Sequence, residues 1–592
     1  MSTTELYKNL RDLNLKTGAK SLASQGTKII VGIDFGTTFS GIAWANTHDA
    51  HINLIQQWPG LSSPQDKSSE KVQTQILYDG EAPGDFKWGY QVENGTSCHQ
   101  WFKLDLESTY DPKEKALANR YPLTNRLLST VDHNAQQLTA DYLSALKRHL
   151  IYMLQLHLGE LQATETPLQF ILTVPAVWSE IAKEKTLSAA EEAGLGKDAP
   201  ILLVSEPEAA ATYALQRQDW RYLKPGDTFV VCDAGGGTVD LISYTVVKLE
   251  PILEVKEAAP GAGGLCGSTY LNRRFREYLE ARLSNQDGWD EEVLKEAMEH
   301  FDQMVKIQYT STSKDQSWKV PVTGLANNES LSVKRGKLVL KSEDVKQILE
   351  PVIGQVVKLV LEQIRTTSGE VKAVLLVGGF GTSMYLRERI KEAVSKNIEV
   401  IQPPYGWSAV VRGAVLKGLA QSDPKHSKVR LTSRMARKHL GTRASVIFDE
   451  MIHSLMDLRY FDAYDGTWRT TAMNWFIKKG DTVNEDKPYP FYFYQTSLVA
   501  DGPPEDVTLY VYCDRTNRSA VVYQDEEVEM LAELTVGIGE LPKDALDIKT
   551  GKDNRLYYVL RFSVEVTYQS ASTKYELVHK GKRYSSVTIE YV

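Results

Sequence analysis

The chain is poor in cysteine and has no long apolar run. Cys98, Cys232, Cys266 and Cys513 are the only four cysteines in 592 residues. They are too few and too scattered for a disulfide framework or a paired-cysteine metal site. No apolar stretch approaches the ~18–20 residues that span a bilayer, so a membrane anchor is not expected. No basic stripe stands out in a chain of net charge −8, which argues against a nucleic-acid surface. Residues 1–27 lack the hydrophobic core of a signal peptide and read as a polar, mobile tail. These absences point to a soluble protein of a reducing compartment, with a cytoplasmic location expected. What remains is ordinary: 42% hydrophobic and 24% charged residues, enough for several buried cores at this length.

One stretch organises the rest. Thr228-Phe229-Val230-Val231-Cys232-Asp233 leads into Ala234-Gly235-Gly236-Gly237-Thr238, and Val239-Asp240-Leu241-Ile242 leads out. Strand, glycine turn, strand predicts a hairpin whose bare tip offers backbone N–H groups to an anionic oxygen. The carboxylates of Asp233 and Asp240 would repel a phosphate unless a hard cation, held through waters, lay between. A second stretch repeats the layout. Ile29-Ile30-Val31-Gly32-Ile33-Asp34 is followed by Phe35-Gly36-Thr37-Thr38-Phe39, then by a second strand. Two phosphate-facing hairpins a domain apart suggest two lobes gripping one nucleotide from opposite sides.

Other segments fill in the frame. Leu143, Leu146, Leu150, Met153 and Leu154 form one face of a helix over 139–158. Phe170 to Val174 is a buried strand ended by Pro175, and a helix over 179–193 closes at Gly194. Ile201 to Ser205 is a strand running into Glu206-Pro207-Glu208 and an alanine-rich helix. Pro207 suits a first helical turn, and the small alanines permit close approach to another backbone. Glu257 to Thr269 is expected as a glycine-rich turn into a helix over 270–283, and a further helix over 291–309. Ser342 is a candidate N-cap for a helix to about residue 364 with a break at Pro351. Val374 to Val377 is a buried strand turning at Gly378-Gly379-Phe380-Gly381 into another helix.

Asp34-Phe35-Gly36-Thr37-Thr38, Asp233-Ala234-Gly235-Gly236-Gly237-Thr238 and Val377-Gly378-Gly379-Phe380-Gly381 together resemble the two phosphate loops and the adenosine loop of actin-fold ATPases. The resemblance is strongest to the seventy-kilodalton heat-shock chaperones of the DnaK type, and covers about residues 28–420 in the same order. It implies a two-lobed α/β ATPase domain, actin-like and duplicated on a ribonuclease H-like unit. Lobe I would span 28–212 and lobe II 213–420, with ATP or ADP and Mg²⁺ as cofactors. The resemblance further implies Asp34 and Asp233 as metal-positioning residues. Glu206, Asp233, Thr238 and Lys103 would be the catalytic set. Nucleotide contacts would come from Gly36, Thr37, Thr38, Phe39, Gly235, Gly236, Gly237, Thr238, Gly267, Gln303, Lys306, Thr310, Gly378, Gly379 and Phe380. Ile307 stands where those chaperones offer an arginine to the adenine, and Phe380 replaces a polar residue. The base is therefore expected to be held by apolar contact.

Residues 421–438 turn basic and polar and read as a linker without the acidic-hydrophobic docking sequence of the family. Coupling between domains is accordingly expected to be modest. From 439 to 592 short alternating strands predict a β sandwich resembling a peptide-binding domain, with no helical lid. The aromatic run Tyr489 to Tyr494 fits either a core or a groove, the core being favoured. The resemblance implies unfolded or apolar peptide segments and co-chaperones as partners, with neither nucleic acid nor membrane. Three functions remain open at this stage: a slowly hydrolysing chaperone-like switch, a nucleotide-binding scaffold with little turnover, and a small-molecule kinase on the same fold.

Overall fold

The computed structural model describes residues 26–591 apart from 62–67, 80–84, 94–95, 108–125, 128–132, 218–222, 314, 454–457, 485–486, 504–505, 517–518, 538–545 and 585–587. The expected N-terminal tail lies, as far as residue 25, outside the described residues.

The two hairpins head two sheets of the same design. In lobe I the order is Leu202–Ser205, Leu168–Val174, Ile29–Asp34, Phe39–Asn46, Asn53–Leu54. In lobe II it is Glu399–Ile401, Val371–Val377, Thr228–Ala234, Val239–Lys248, Leu253–Gly264. Each hairpin is antiparallel, and each first strand has a parallel neighbour on its other side. Helices Ala135–Leu158 and Ser342–Thr366 precede those parallel neighbours in their respective lobes. Helices Glu180–Glu192 and Met384–Ala393 make the next crossovers, and Glu206–Arg217 and Ala409–Ser422 close the pattern. The repetition is the duplicated α/β architecture that the paired motifs imply.

Strands buried on both faces explain the unbroken apolar runs: every residue of Ile29–Asp34 and Thr228–Ala234 is buried. The two closing helices cross between the lobes. A Cβ on Gly413 would lie 1.7 Å from the Ala209 carbonyl oxygen, so the helices touch through backbone. Ala209, Ala210, Val411 and Ala414 join residues of both lobes in one core.

Helix caps follow the sequence closely. Ser179 and Asn134 cap their helices by accepting from the N–H groups of Ala182 and Gln137. Two expectations need correction. Ser342 is the first helical residue rather than the cap, and Asp344 accepts the Lys341 N–H instead. Nor does Pro351 break that helix, which runs on to Thr366. Proline leaves the carbonyl four residues back without a donor. Arg274 of the neighbouring helix fills the gap, donating to the Gln347 and Ile348 oxygens at 3.3 and 2.8 Å.

The C-terminal region is two antiparallel sheets. One runs Tyr460–Asp462, Thr467–Ile477, His439–Ile447, Asp506–Asp514, Glu529–Gly537, Thr588–Tyr591. The other centres on Leu556–Tyr568, flanked by Tyr489–Leu498, Leu546–Thr550 and Thr573–His579. Leu440, Ile477, Val511 and Leu534 of the first sheet meet Leu560, Phe562, Val564 and Leu577 of the second in one core, which makes a sandwich. In the aromatic run the side chains alternate. Phe491 and Phe493 pack against this core, while Tyr492 is 81% exposed.

The linker reading is overturned in part. Residues up to 422 complete the closing helix, and Val429–Met435 is a strand of the lobe II sheet, parallel to Leu253–Gly264. Thr482–Asn484 of the C-terminal region adds one strand more to that sheet. Docking therefore occurs without an acidic-hydrophobic sequence. Arg434 is 2% exposed and reaches Glu208 bidentately.

Candidate nucleotide site

The tips of the two hairpins face each other across the interlobe cleft. A Cβ on Gly236 would lie 2.0 Å from Thr38 Oγ1, and one on Gly237 would lie 2.7 Å from Thr37 Oγ1. Only glycine permits this approach. The turn 235–237 is held from behind by the 267–269 segment. Gly267, Ser268 and Thr269 donate their N–H groups to the carbonyls of Gly237, Gly235 and Gly236 at 3.0–3.1 Å. With its carbonyls tied back, the turn has its other side available to an anion. Gly378 takes φ +82° and lies so close that a Cβ would be 2.5 Å from Asp233 Oδ1. Gly267 and Gly378 thus belong to the same assembly as the hairpins, as the motifs imply.

Acidic groups converge beneath these turns. Asp233 and Asp240 are direct cross-strand partners, a repulsive arrangement for two carboxylates. Burial, then the nearby carboxylates of Glu206, Asp34 and Asp240, push the Asp233 carboxyl well above its usual range. Asp240 is 1% exposed and burial raises its pKa as well. Neither of its oxygens makes a well-aligned hydrogen bond, although the Thr238 hydroxyl and the Ala176 backbone lie nearby.

Two lysines answer these charges. Lys103 Nζ meets Glu206 Oε1 at 2.5 Å, with the lysine side chain 2% exposed. It enters from a turn in which Trp101 takes φ 64°, uncommon for so bulky a residue. Arg273 of lobe II stacks over the Trp101 ring at 3.6 Å, fixing that turn across the lobes. Glu206 begins the crossing helix, and its pKa is raised to about 7. Burial raises it most, Lys103 opposes, and Asp240 and Asp34 add to the rise. Lys71 Nζ reaches Asp34 Oδ2 at 2.5 Å. Sequence reasoning missed Lys71, because it closes an irregular Pro/Ser stretch with no local pattern.

Among the described residues no three His, Cys, Asp or Glu side chains are close enough to ligate a metal directly. The acidic excess fits instead a hydrated divalent cation that Asp34, Asp233 and Asp240 would hold through waters.

The base end differs from expectation. Phe380 is 4% exposed and its ring is packed into the lobe II core. Gly379 instead abuts Trp407, which a Cβ there would approach to 3.3 Å. Trp407 meets the Phe39 ring edge-on at 5.7 Å. Trp407 has no signal of its own in the sequence, and it lies in the 3-10 turn Gly406–Ser408 just before the closing helix. Gln303 and Ile307 are exposed on a stretch whose residues Phe301–Val305 form a π-helix, a feature frequent at functional sites. Lys306 is held by Asp302 and Asn272, and the Thr310 hydroxyl by Thr312 and Ser313. These contacts run within the segment and to the helix Thr269–Leu283 rather than to the hairpins.

Two facing glycine hairpins on a duplicated α/β unit define the class: a two-lobed domain of the actin-like nucleotide-binding type. The family model described as "Hsp70 protein" matches residues 120–430, and the chain belongs to the Hsp70 family. It is 24% identical over 494 residues to heat shock 70 kDa protein 12A of Mus musculus, covering 68% of this chain and 70% of that one. It is 25% identical over 483 residues to heat shock 70 kDa protein 12B of Homo sapiens, covering 66% and 68%. Chaperone protein DnaK of Mycoplasma mycoides is 24% identical over 293 residues, 48% and 46% of the two chains. Identities this low mark a divergent member. Among the described residues no helix is long and apolar enough to cross a membrane.

Proposed function

We propose that this chain is an ATP-binding, slowly ATP-hydrolysing Hsp70-like switch protein. The buried Lys103–Glu206 pair beside the facing hairpins carries this reading. ATP would lie with its phosphates between Thr37-Thr38 and Gly235-Gly236-Gly237. Backbone N–H groups and the hydroxyls of Thr37, Thr38 and Thr238 would bind the phosphate oxygens. Mg²⁺, when bound, supplies charge neutralisation at the phosphates. Lys103 offsets the charge growing on the terminal phosphoryl group. Glu206, freed from part of its lysine contact, orients the attacking water and takes its proton. Catalysis of this kind is positioning and electrostatics, with no covalent intermediate.

A second reading is a nucleotide-binding scaffold with little turnover. The Lys71–Asp34 pair favours it, since a lysine already neutralises one metal-positioning carboxylate. The deciding experiment is ATP binding and single-turnover hydrolysis by the full chain in Mg²⁺ and in EDTA, repeated with Lys103→Met and Glu206→Gln. Turnover that needs Mg²⁺ and both side chains supports the switch. Tight binding with equal residual turnover in all three proteins supports the scaffold.

The fold and composition also favour peptide segments and co-chaperones as partners and a cytoplasmic site of action. The small-molecule kinase reading is set aside, because the terminal β sandwich has no part in such a reaction.

A further inference from the structure

Behind the nucleotide cleft, on the far side of Ala176 and Trp178, lobe I, lobe II, the docked segment and the β sandwich meet around one small cavity of about 190 Å³. Among the described residues four cationic side chains line it, Lys183, Arg437, Lys438 and Arg515, with the single carboxylate of Glu180. Glu180 already serves two of them: Lys183 Nζ at 3.1 Å and Lys438 Nζ at 2.9 Å. Among the described residues Arg437 has one loose ion pair, 3.5 Å to Glu257, and its buried Nε has no hydrogen-bond partner. Burial lowers the Lys183 pKa, Glu180 opposes, and Lys438 and Arg437 lower it further. The hairpin loop Gln569 to Thr573 closes the cavity with backbone and hydroxyl groups.

We infer that this junction is a binding site for a small tetrahedral oxyanion, an inorganic phosphate or a phosphomonoester. The charge count carries the inference: against Glu180 and the Glu257 carboxylate that pairs with Arg437, two cations remain in excess around a partly buried space. Buried cations are stable only when paired and hydrogen-bonded, and a phosphate oxygen meets the orphaned guanidinium Nε and the ammonium groups together. The size limits the ligand, because drug-sized and nucleotide ligands need cavities of roughly 300 Å³ and upward. Walls from both lobes, the docked segment and the sandwich mean that the anion binds only while these units are together. Its occupancy holds the sandwich against the ATPase lobes.

The test titrates inorganic phosphate, and separately O-phosphoserine, into the full chain saturated with ADP. Ionic strength is held constant with chloride, heat of binding is measured, and hydrogen exchange is followed at 569–573. Phosphate should bind and slow exchange in that loop where chloride does not. Lys438→Gln and Lys183→Gln should each lose about tenfold or more in affinity, the loss of one charge-assisted contact. Ser572→Phe fills the half-buried rim without removing an ion pair and should abolish binding, so the test survives if a lysine variant fails to fold. A preference for O-phosphoserine would identify a phosphorylated protein as the source, and a preference for inorganic phosphate the free ion. Equal phosphate affinity in wild type and Ser572→Phe, or no effect beyond that of chloride, would overturn the proposal and leave a simple ion-pair latch.

Discussion

At the residue scale the site is governed by an excess of buried negative charge. Asp233 illustrates the two consequences. Replacing it by Asn removes repulsion among Asp34, Glu206 and Asp240, so the empty protein should melt at a higher temperature. The same change removes a group that positions the metal, and Mg-ATP affinity should fall by about 1.5–3 kcal/mol. Thr37→Val keeps the shape beside Gly237 and should weaken Mg-ATP by a similar factor without the stabilisation. Calorimetry and isothermal titration on the two variants check both signs, and unchanged affinity in both would sink the phosphate site.

Glu206 sets the pH dependence. Its folded pKa is about 7, above an unfolded value of roughly 4.3. A raised acid stabilises the fold fully below the unfolded value and loses that contribution as pH climbs to the folded one. The nucleotide-free chain should therefore lose stability between about pH 4.3 and 7 from this group. Turnover should rise over the upper part of that range, because only the ionised carboxylate can accept the water proton. Glu206→Gln should bind ATP, turn it over poorly and lose the pH step. A pH–rate profile without an ionisation near neutrality would contradict the role of Glu206.

The element scale shows what the sequence made legible. The paired hairpins, the Glu-Pro helix and the alanines were readable because each follows from a local rule of strand, turn or cap. Lys71 and Trp407 were not, since each matters through a contact with a distant element. Phe380 misled for the related reason that a motif position says nothing of which way the ring turns. It fills the lobe II core, so Phe380→Ala should cost about 3–5 kcal/mol of stability. The preference between ATP and GTP should not move with it, and a binding competition on the variant tests this directly. Pro351 misled because the compensating donor, Arg274, comes from another helix. The crossing of the two closing helices gives an element-level prediction. Gly413→Ala places a methyl against the Ala209 carbonyl and should destabilise by about 1–3 kcal/mol. Because Glu206 opens one of these helices, ATP turnover should fall with it, measured beside the melting temperature.

For the whole molecule, the docked segment changes what the composition suggested about coupling. Glu208 lies two residues from Glu206 on the crossing helix. Burial would raise its pKa, but Arg434 and then Lys417, with hydrogen bonds from Arg434 and Ser570, hold it well below the usual range. Ser570 belongs to the sandwich and also accepts the Ser205 N–H at 2.9 Å. One helical turn thus faces the nucleotide site with Glu206 and the C-terminal region with Glu208. On the sandwich, among the described residues, the strand Tyr489–Leu498 pairs only with Leu556–Tyr568, and Tyr492 and Tyr494 are exposed along it. An extended apolar peptide could add there as a further strand. The predicted outcome is weak peptide binding by the full chain whose affinity changes when Mg-ATP is added. By linkage the peptide must change ATP affinity by the same factor. Arg434→Met leaves Glu208 without its bidentate partner, at a cost of about 3–5 kcal/mol for a broken buried pair, and should bring that factor toward one. The measurement is a fluorescence titration of a labelled apolar peptide into wild type and Arg434→Met, each with and without Mg-ATP. A nucleotide effect of the same size in both proteins would place the coupling elsewhere, and no peptide binding in either would leave only the nucleotide scaffold.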